Sequence, residues 1–215
     1  MPRSKNQHWV PQFYLRHFAT LETRGKDGAQ VWIFSCDEKD GDETLTNVRN
    51  VCAKRYLYTP VGPSGERTWD LDKKLEDLEG MAGAFWPTLA NGFVDLGNSD
   101  VRKAVALFVA ILHLRNPTTL EAVEDIHHQL VGFYDDGPMR SDGTPDVDSV
   151  EISGKVYDFD TSGWHAYRAW GKNDHERFFT KFIEGEAVHL AELLMAKRWS
   201  MMFAEHDTFT PPTGP

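Results

Sequence analysis

The chain has 215 residues, of which 40% are hydrophobic, 12% aromatic and 26% charged, enough apolar material for one large domain with its own core. A formal net charge of −10 argues against nonspecific binding to DNA or anionic membrane over the whole surface, but not against a local basic site. Two cysteines, Cys36 and Cys52, without a CxxC pair and without an apolar leader, read as reduced thiols of a cytoplasmic protein.

Taken in chain order, Pro11 opens a helical spacing that predicts a short helix to Phe18, with Tyr14, Leu15 and Phe18 inward. His8-Trp9-Val10 leads into it in extended form. Gly25–Gly28 is a turn, Val31–Phe34 a strand, Asp37–Asp42 a polar turn and Thr44–Thr46 the returning strand. A helical turn is expected at Asn50–Lys54, an extended piece at Arg55–Tyr58 and a loop at Pro60–Gly65.

Trp69–Trp86 is an amphipathic helix through Leu71, Leu75, Leu78, Ala82 and Phe85, with Pro87 expected to interrupt or kink it. Asn98 or Ser99 caps the next helix, which runs to about Arg115 and is apolar nearly all round from Ala104. It should therefore be the central one. Its apolar run, Ala104–Leu114, is too short to span a bilayer, which takes about 20 residues. Pro117 starts a third helix with Leu120, Val123, Ile126, Leu130 and Phe133 expected inward.

Asp135–Val150 lacks periodicity and reads as a mobile acidic loop. Val150–Phe159 is a hairpin about Ser153-Gly154. Asn173 and Glu176 form a capping box for a helix to about Arg198, followed by strands at Trp199–Phe203 and Thr208–Thr210. The expected class is α+β, mainly α, with about five helices around a central buried one. Positions 1–215 form one domain: mixed elements over 1–60, a helical core over 68–134, the acidic loop, then hairpin, long helix and terminal strands.

The opening His8-x-Val10-Pro11-x-x-Tyr14-Leu15-x-x-Phe18 resembles the signature of an uncharacterised family, domain of unknown function 4238 (DUF4238). Further blocks in the same order resemble it too: Val31–Phe34, Asn50-Val51-x-Ala53 with Tyr56-x-Tyr58, Leu75-x-x-Leu78-Glu79, Phe108 with Arg115-Asn116-Pro117, and Trp199. The resemblance implies a C-terminally shortened member, since Phe209–Pro215 stops inside a "Phe-x-Thr-Ser-Asp-x-Pro" segment, with Thr213 where that segment has Asp. It implies no reaction.

Chemistry must therefore come from the residues. His8, Gln12, Arg16, His113 and Arg115 form the first candidate cluster. Gln12 and Arg16 share a helix face, and His113 and Arg115 close the buried helix. Converging arginines would hold an anion in a bidentate fork, and a histidine near neutrality could act as acid or base. This gives a binding or interaction module, in a defence or mobile-element setting, with a small anion or a protein as partner. The alternative is a metal-independent hydrolase of phosphodiesterase or nuclease type using His8 and Arg115. The blander reading has the histidines capping carbonyls and the arginines anchoring helix ends.

No metal or cofactor is expected. The nine histidines lack HExxH spacing, Asp142–Asp148 fails the EF-hand pattern, and P-loop, GxGxxG and GxSxG motifs are missing. Trp164–Trp170 could stack bases or a sugar, but packing is the simpler use, and net charge disfavours nucleic acid. Glu76, Asp77 and Glu79 read as helix-surface charge. No membrane partner is expected; self-association is left open.

Overall fold

A computed structural model describes residues 5–34, 43–92 and 95–200. The described residues form six helices and three two-stranded antiparallel sheets, an α+β arrangement that is mainly α. Cys36, the Asp37–Asp42 turn and the Thr208–Thr210 strand lie outside the described residues.

The N-terminal third is a set of short extended pieces folded onto helices. Strand β1 (Asn6–His8) pairs with β4 (Ala53–Arg55), in register His8 with Ala53. The helical turn expected at Asn50–Lys54 therefore sits earlier, as a 3₁₀ turn over Val48–Asn50 that Asn47 caps through its side chain. Cys52 and Tyr56 flank β4 with positive φ of 52° and 57°, which turns the chain sharply in and out of so short a strand. Strands β2 (Gln30–Phe34) and β3 (Glu43–Asn47) pair over a small cluster of Ala19, Ala29, Val31 and Val48.

Helix α1 (Gln12–Leu15) continues as a 3₁₀ turn to Phe18, and this tightening swings Phe18 out to 56% exposure. The expected inward Phe18 is thus incorrect. Phe13 takes the inward place instead, against Trp86 and Phe108 at ring-centre separations of 6.2 and 5.7 Å.

Helix α2 (Asp70–Ala90) buries Leu71, Leu75, Leu78 and Ala82. Pro87 does not end it. Only the last turn lacks that amide, and Asn91 donates to the Pro87 carbonyl at 2.7 Å, with Gly92 beyond it at φ 75°. Helix α3 (Ser99–Leu114) is capped by Asn98, whose side chain accepts from the Asp100 and Val101 amides. Helix α4 (Pro117–Asp135) is capped by Asn116 with Pro117 in its first turn.

The face expected for α4 holds at its start, at Leu120 and Val123, and fails further on. Ile126, Leu130 and Phe133 are 56%, 40% and 72% exposed, while Leu120 and His127 are buried. The cause is the short helix α5 (Trp164–Arg168), whose segment lies against the His127 side of α4.

Between α4 and the strand that begins at Ser149 the chain forms no helix and is organised by Arg140. Its guanidinium donates to Thr161 Oγ1 at 2.9 Å, the Val147 carbonyl at 3.2 Å and Asp148 Oδ1 at 2.6 Å, while Thr144 and Pro145 are buried. β5 (Ser149–Ile152) and β6 (Lys155–Asp158) follow as the expected hairpin, turning on Ser153 and Gly154 at φ 51° and 78°.

Helix α6 (Lys172–Met195) starts at Gly171, whose amide donates to Asp174 Oδ2 at 3.0 Å. The cap is two residues earlier than the Asn173–Glu176 box predicts, because Gly171 already provides the extended entry and Asp174 the returning carboxylate. The helix stops at Met195 rather than near Arg198. Trp199 is not in a strand: its indole N–H donates to the Leu194 carbonyl at 2.8 Å, capping the helix end, and Arg102 lies over its ring.

The core lies where α2, α3 and α6 meet. Ala106, Ala110 and Ala191 let α3 and α6 approach closely, so α3 is central as expected. Leu57, Tyr58, Leu71, Leu75, Leu114, Leu120, Phe179 and Ile183 fill the space beside them.

Candidate functional site

The N-terminal strand reaches the helical core through polar contacts rather than apolar ones. Gln7 is 4% exposed and bridges two elements. Its amide nitrogen donates to Asp72 Oδ1 at 2.7 Å, and its oxygen accepts from the Tyr58 amide at 2.7 Å. Arg115, at the end of α3, is 1% exposed. Its Nε donates to the Trp9 carbonyl at 2.8 Å, one terminal nitrogen donates to the His8 carbonyl, and the other pairs with Glu79 Oε1 at 2.8 Å. Tyr58 closes the arrangement by donating its hydroxyl to the Arg115 carbonyl at 2.7 Å.

A guanidinium used in this way is a clasp. The His8 and Trp9 carbonyls lie where strand pairing ends, just before Pro11, and the planar fork of Arg115 supplies them with donors. The buried charge is compensated by Glu79. Burial holds the Glu79 carboxyl above the ordinary range, against the pull of Arg115 beside it.

The five residues expected to form an anion site are only partly assembled. His8 and Gln12 meet, with Gln12 Nε2 3.5 Å from His8 Nδ1. Arg115 touches the His8 backbone and not its ring. His113 is exposed on the last turn of α3, and Arg16 is half-buried in the turn after α1. The expectation of arginines converging on an anion is corrected at Arg115, because its donors already serve two carbonyls and a carboxylate.

His8 Nε2 lies 3.1 Å from the Arg49 carbonyl, which only accepts, so Nε2 carries the proton and Nδ1 is the basic nitrogen facing Gln12. Burial, first, and the Arg115 charge hold the His8 ring below the ordinary histidine range, against the raising effect of the Arg49 carbonyl. A folded-state value below the unfolded value of 6.5 means that the neutral ring contributes stability above about pH 6.5, and that this is lost as pH falls through the folded value. We expect the melting temperature to drop between pH 7.5 and 5.5 and the drop to be smaller in His8→Gln. Equal slopes in the two proteins would rule His8 out as a contributor.

Above this clasp lies a half-open groove of about 370 Å³ between β1, α1 and α2. Its chemistry-bearing lining is His8, Gln12, Asp72, Glu76 and Glu79, with Tyr58, Leu75 and Phe13 as its apolar base. A larger depression of about 460 Å³ between Asp70, Lys73, Lys74, Asp77 and Glu184 is a surface dip bounded by an exposed ion pair, Lys74–Glu184. The His8 groove is the better candidate because buried Tyr58 and Leu75 back it.

Sequence reasoning missed Gln7 and Tyr58 as site residues and set Glu79 aside as helix-surface charge. A signal existed for Glu79: it falls four residues after Leu75 and three before Ala82, inside the apolar stripe of α2.

These features define a mainly helical α+β protein whose N-terminal strand is clasped by a buried arginine beside an acid-lined groove. The chain belongs to the family described as "Protein of unknown function (DUF4238)", whose profile matches residues 6–196. It is also similar to the mitochondrial distribution and morphology protein 10 of Arthroderma otae, 34% identical over 122 residues. That match covers 53% of this chain but 23% of the relative, so the chain spans under a quarter of that protein's length. No solved structure matches. Among the described residues no helix is long and apolar enough to cross a membrane, and no group of three or more His, Cys, Asp or Glu is arranged to hold a metal ion.

Proposed function

We propose that this chain is a binding module, and that its ligand presents an ammonium or guanidinium group to the groove between β1, α1 and α2. The observation that carries this reading is the sign of the lining. Asp72, Glu76 and Glu79 border the groove, no Lys or Arg is among its lining residues, and Glu79 is also paired with the buried Arg115. An anion there would face three carboxylates in a partly desolvated site, where like-charge contacts cost most. A cation gains from the same field, and Gln12 adds a donor and an acceptor at the rim. A lysine or arginine side chain of a protein partner has the right size and charge.

The hydrolase reading with His8 and Arg115 is weaker. Arg115 is buried with its donors already taken by the His8 and Trp9 carbonyls and Glu79, and both His8 nitrogens have neighbours, the Arg49 carbonyl and the Gln12 amide.

The test is a backbone-amide NMR titration with two probes, a short arginine-rich peptide and inorganic phosphate. The peptide should shift residues of β1, α1 and α2, bind less tightly as salt rises, and lose affinity in Glu76→Gln, a change at an exposed position. Phosphate should leave these residues unmoved. Phosphate binding at the groove, or peptide binding indifferent to Glu76→Gln, would overturn the reading, as would no binding of either probe.

A further inference from the structure

The junction of α4, α5 and α6 holds a second set of titratable groups, unconnected with the groove. His127 and His128 lie on α4 and His175 in the first turn of α6. The ring centres are 4.7 Å apart for His127–His175, 5.3 Å for His127–His128 and 5.8 Å for His128–His175. His127 and His175 are buried, at 3% and 4% exposure. The α5 segment covers them: Tyr167 meets His127 edge-on at 4.8 Å, and Trp170 stacks on it at 5.6 Å.

The protonation state follows from geometry. His127 Nε2 lies 2.8 Å from the Tyr167 carbonyl, so Nε2 bears the hydrogen and Nδ1 is left as a bare lone pair. That Nδ1 is buried without a protein partner, and so is His175 Nε2. Trp164 Nε1 and Asp135 Oδ1, at the same junction, are in the same condition. Four of the six such side-chain atoms among the described residues therefore gather here, the other two being Thr59 Oγ1 and Arg102 Nε, so this contact is poorer in hydrogen bonds than the rest of the core. It is where the fold should open first.

We propose that the α4–α5–α6 junction is a proton-operated latch, in which uptake of a proton by the His127–His175 pair releases the α5 segment from α4 and α6. With α5 closed, a charged ring would lie against a second buried ring and out of water. With α5 open, both rings meet solvent and take up a proton as ordinary histidines do. The groups facing the pair pull in both directions. Glu124 on α4 and Asp174 on α6 favour a charged His175. Against them stand burial, the largest influence on His175, and the neighbouring His127 and His128, and the net result holds His175 below the ordinary range. Asp174 is also engaged by Arg177 and the Gly171 amide, and Asp135 of α4 pairs with Arg168 of α5 at 2.9 Å. Tyr167 is held above the ordinary tyrosine range by burial, so it stays neutral. The closed state thus binds protons more weakly than the open one, and falling pH favours opening.

Hydrogen exchange on the full chain between pH 7.5 and 5.5, corrected for intrinsic exchange, tests the latch. Residues 164–170 should lose protection at the lower pH, because the open state binds the proton more tightly than the closed one. Residues 105–114 of α3 should not change, and His175→Gln should abolish the effect. Unchanged protection at 164–170 would overturn the proposal. So would parallel loss in α3, which is plain acid unfolding, or an undiminished effect in both His175→Gln and His127→Gln. Should either variant fail to fold, histidine side-chain NMR of the unaltered protein decides. Ring protonation of His127 or His175 must coincide with the loss of protection, and rings that stay neutral through the opening would exclude the latch.

Discussion

Arg115→Ala should lower the stability of the fold by about 3 kcal/mol, near the lower end of what is lost when one partner of a buried ion pair is removed. The change strips donors from the His8 and Trp9 carbonyls and leaves Glu79 beside the groove without its cation. At roughly 2–4 °C per kcal/mol for a chain of this size, the melting temperature should fall by about 6–12 °C. Arg115→Lys keeps the charge but cannot span three acceptors in one plane, so it should recover less than half of the loss. A thermal melt checks both. A fall of under 2 °C in the alanine variant would mean that β1 is held by its pairing with β4 and not by the arginine.

The second large effect is expected at Phe179. Its side chain is fully buried in α6 and stacks on Tyr58 at 6.2 Å, and Tyr58 in turn holds the Arg115 carbonyl. Phe179→Ala should cost about 3–5 kcal/mol through lost burial and the cavity left behind. Because Tyr58 links the two sites, Phe179→Ala and Arg115→Ala should not add. The double variant should be about 0.5–3 kcal/mol less destabilised than the sum. Denaturant titrations of the four proteins give the coupling, and strict additivity would show that Tyr58 transmits nothing between them.

What could be read from the sequence divides along physical lines. The four long helices were legible because their apolar spacing is local, and the β2–β3 and β5–β6 hairpins because their strands are neighbours in the chain. Which face of α4 turns inward was not legible. Ile126, Leu130 and Phe133 have the right spacing, but the element that packs on α4 arrives about forty residues later and meets His127 instead. β1–β4 was missed for the same reason, as its two strands are separated by the whole β2–β3 hairpin. At the site, residue types pointed to His8, Gln12 and Arg115 together, and the structure does place these three near one another. The role of Arg115 was hidden, because backbone carbonyls as acceptors leave no trace in the sequence. The sign of the groove was hidden too, since Glu79 was read as surface charge.

The clasp also bears on how the molecule is made. Trp9 and its arginine are 106 residues apart, so at about 5–20 residues per second the ribosome completes the partner roughly 5–20 s after the strand. Phe179, which supports Tyr58, comes later still. Until Trp86 and Phe108 are made, Phe13 lacks both rings that flank it in the fold, and Trp9 waits longer still for Arg115. A slowed synthesis should lengthen this exposure and increase capture by chaperones, while moving residues 5–18 behind α6 in a circular permutant should shorten the wait.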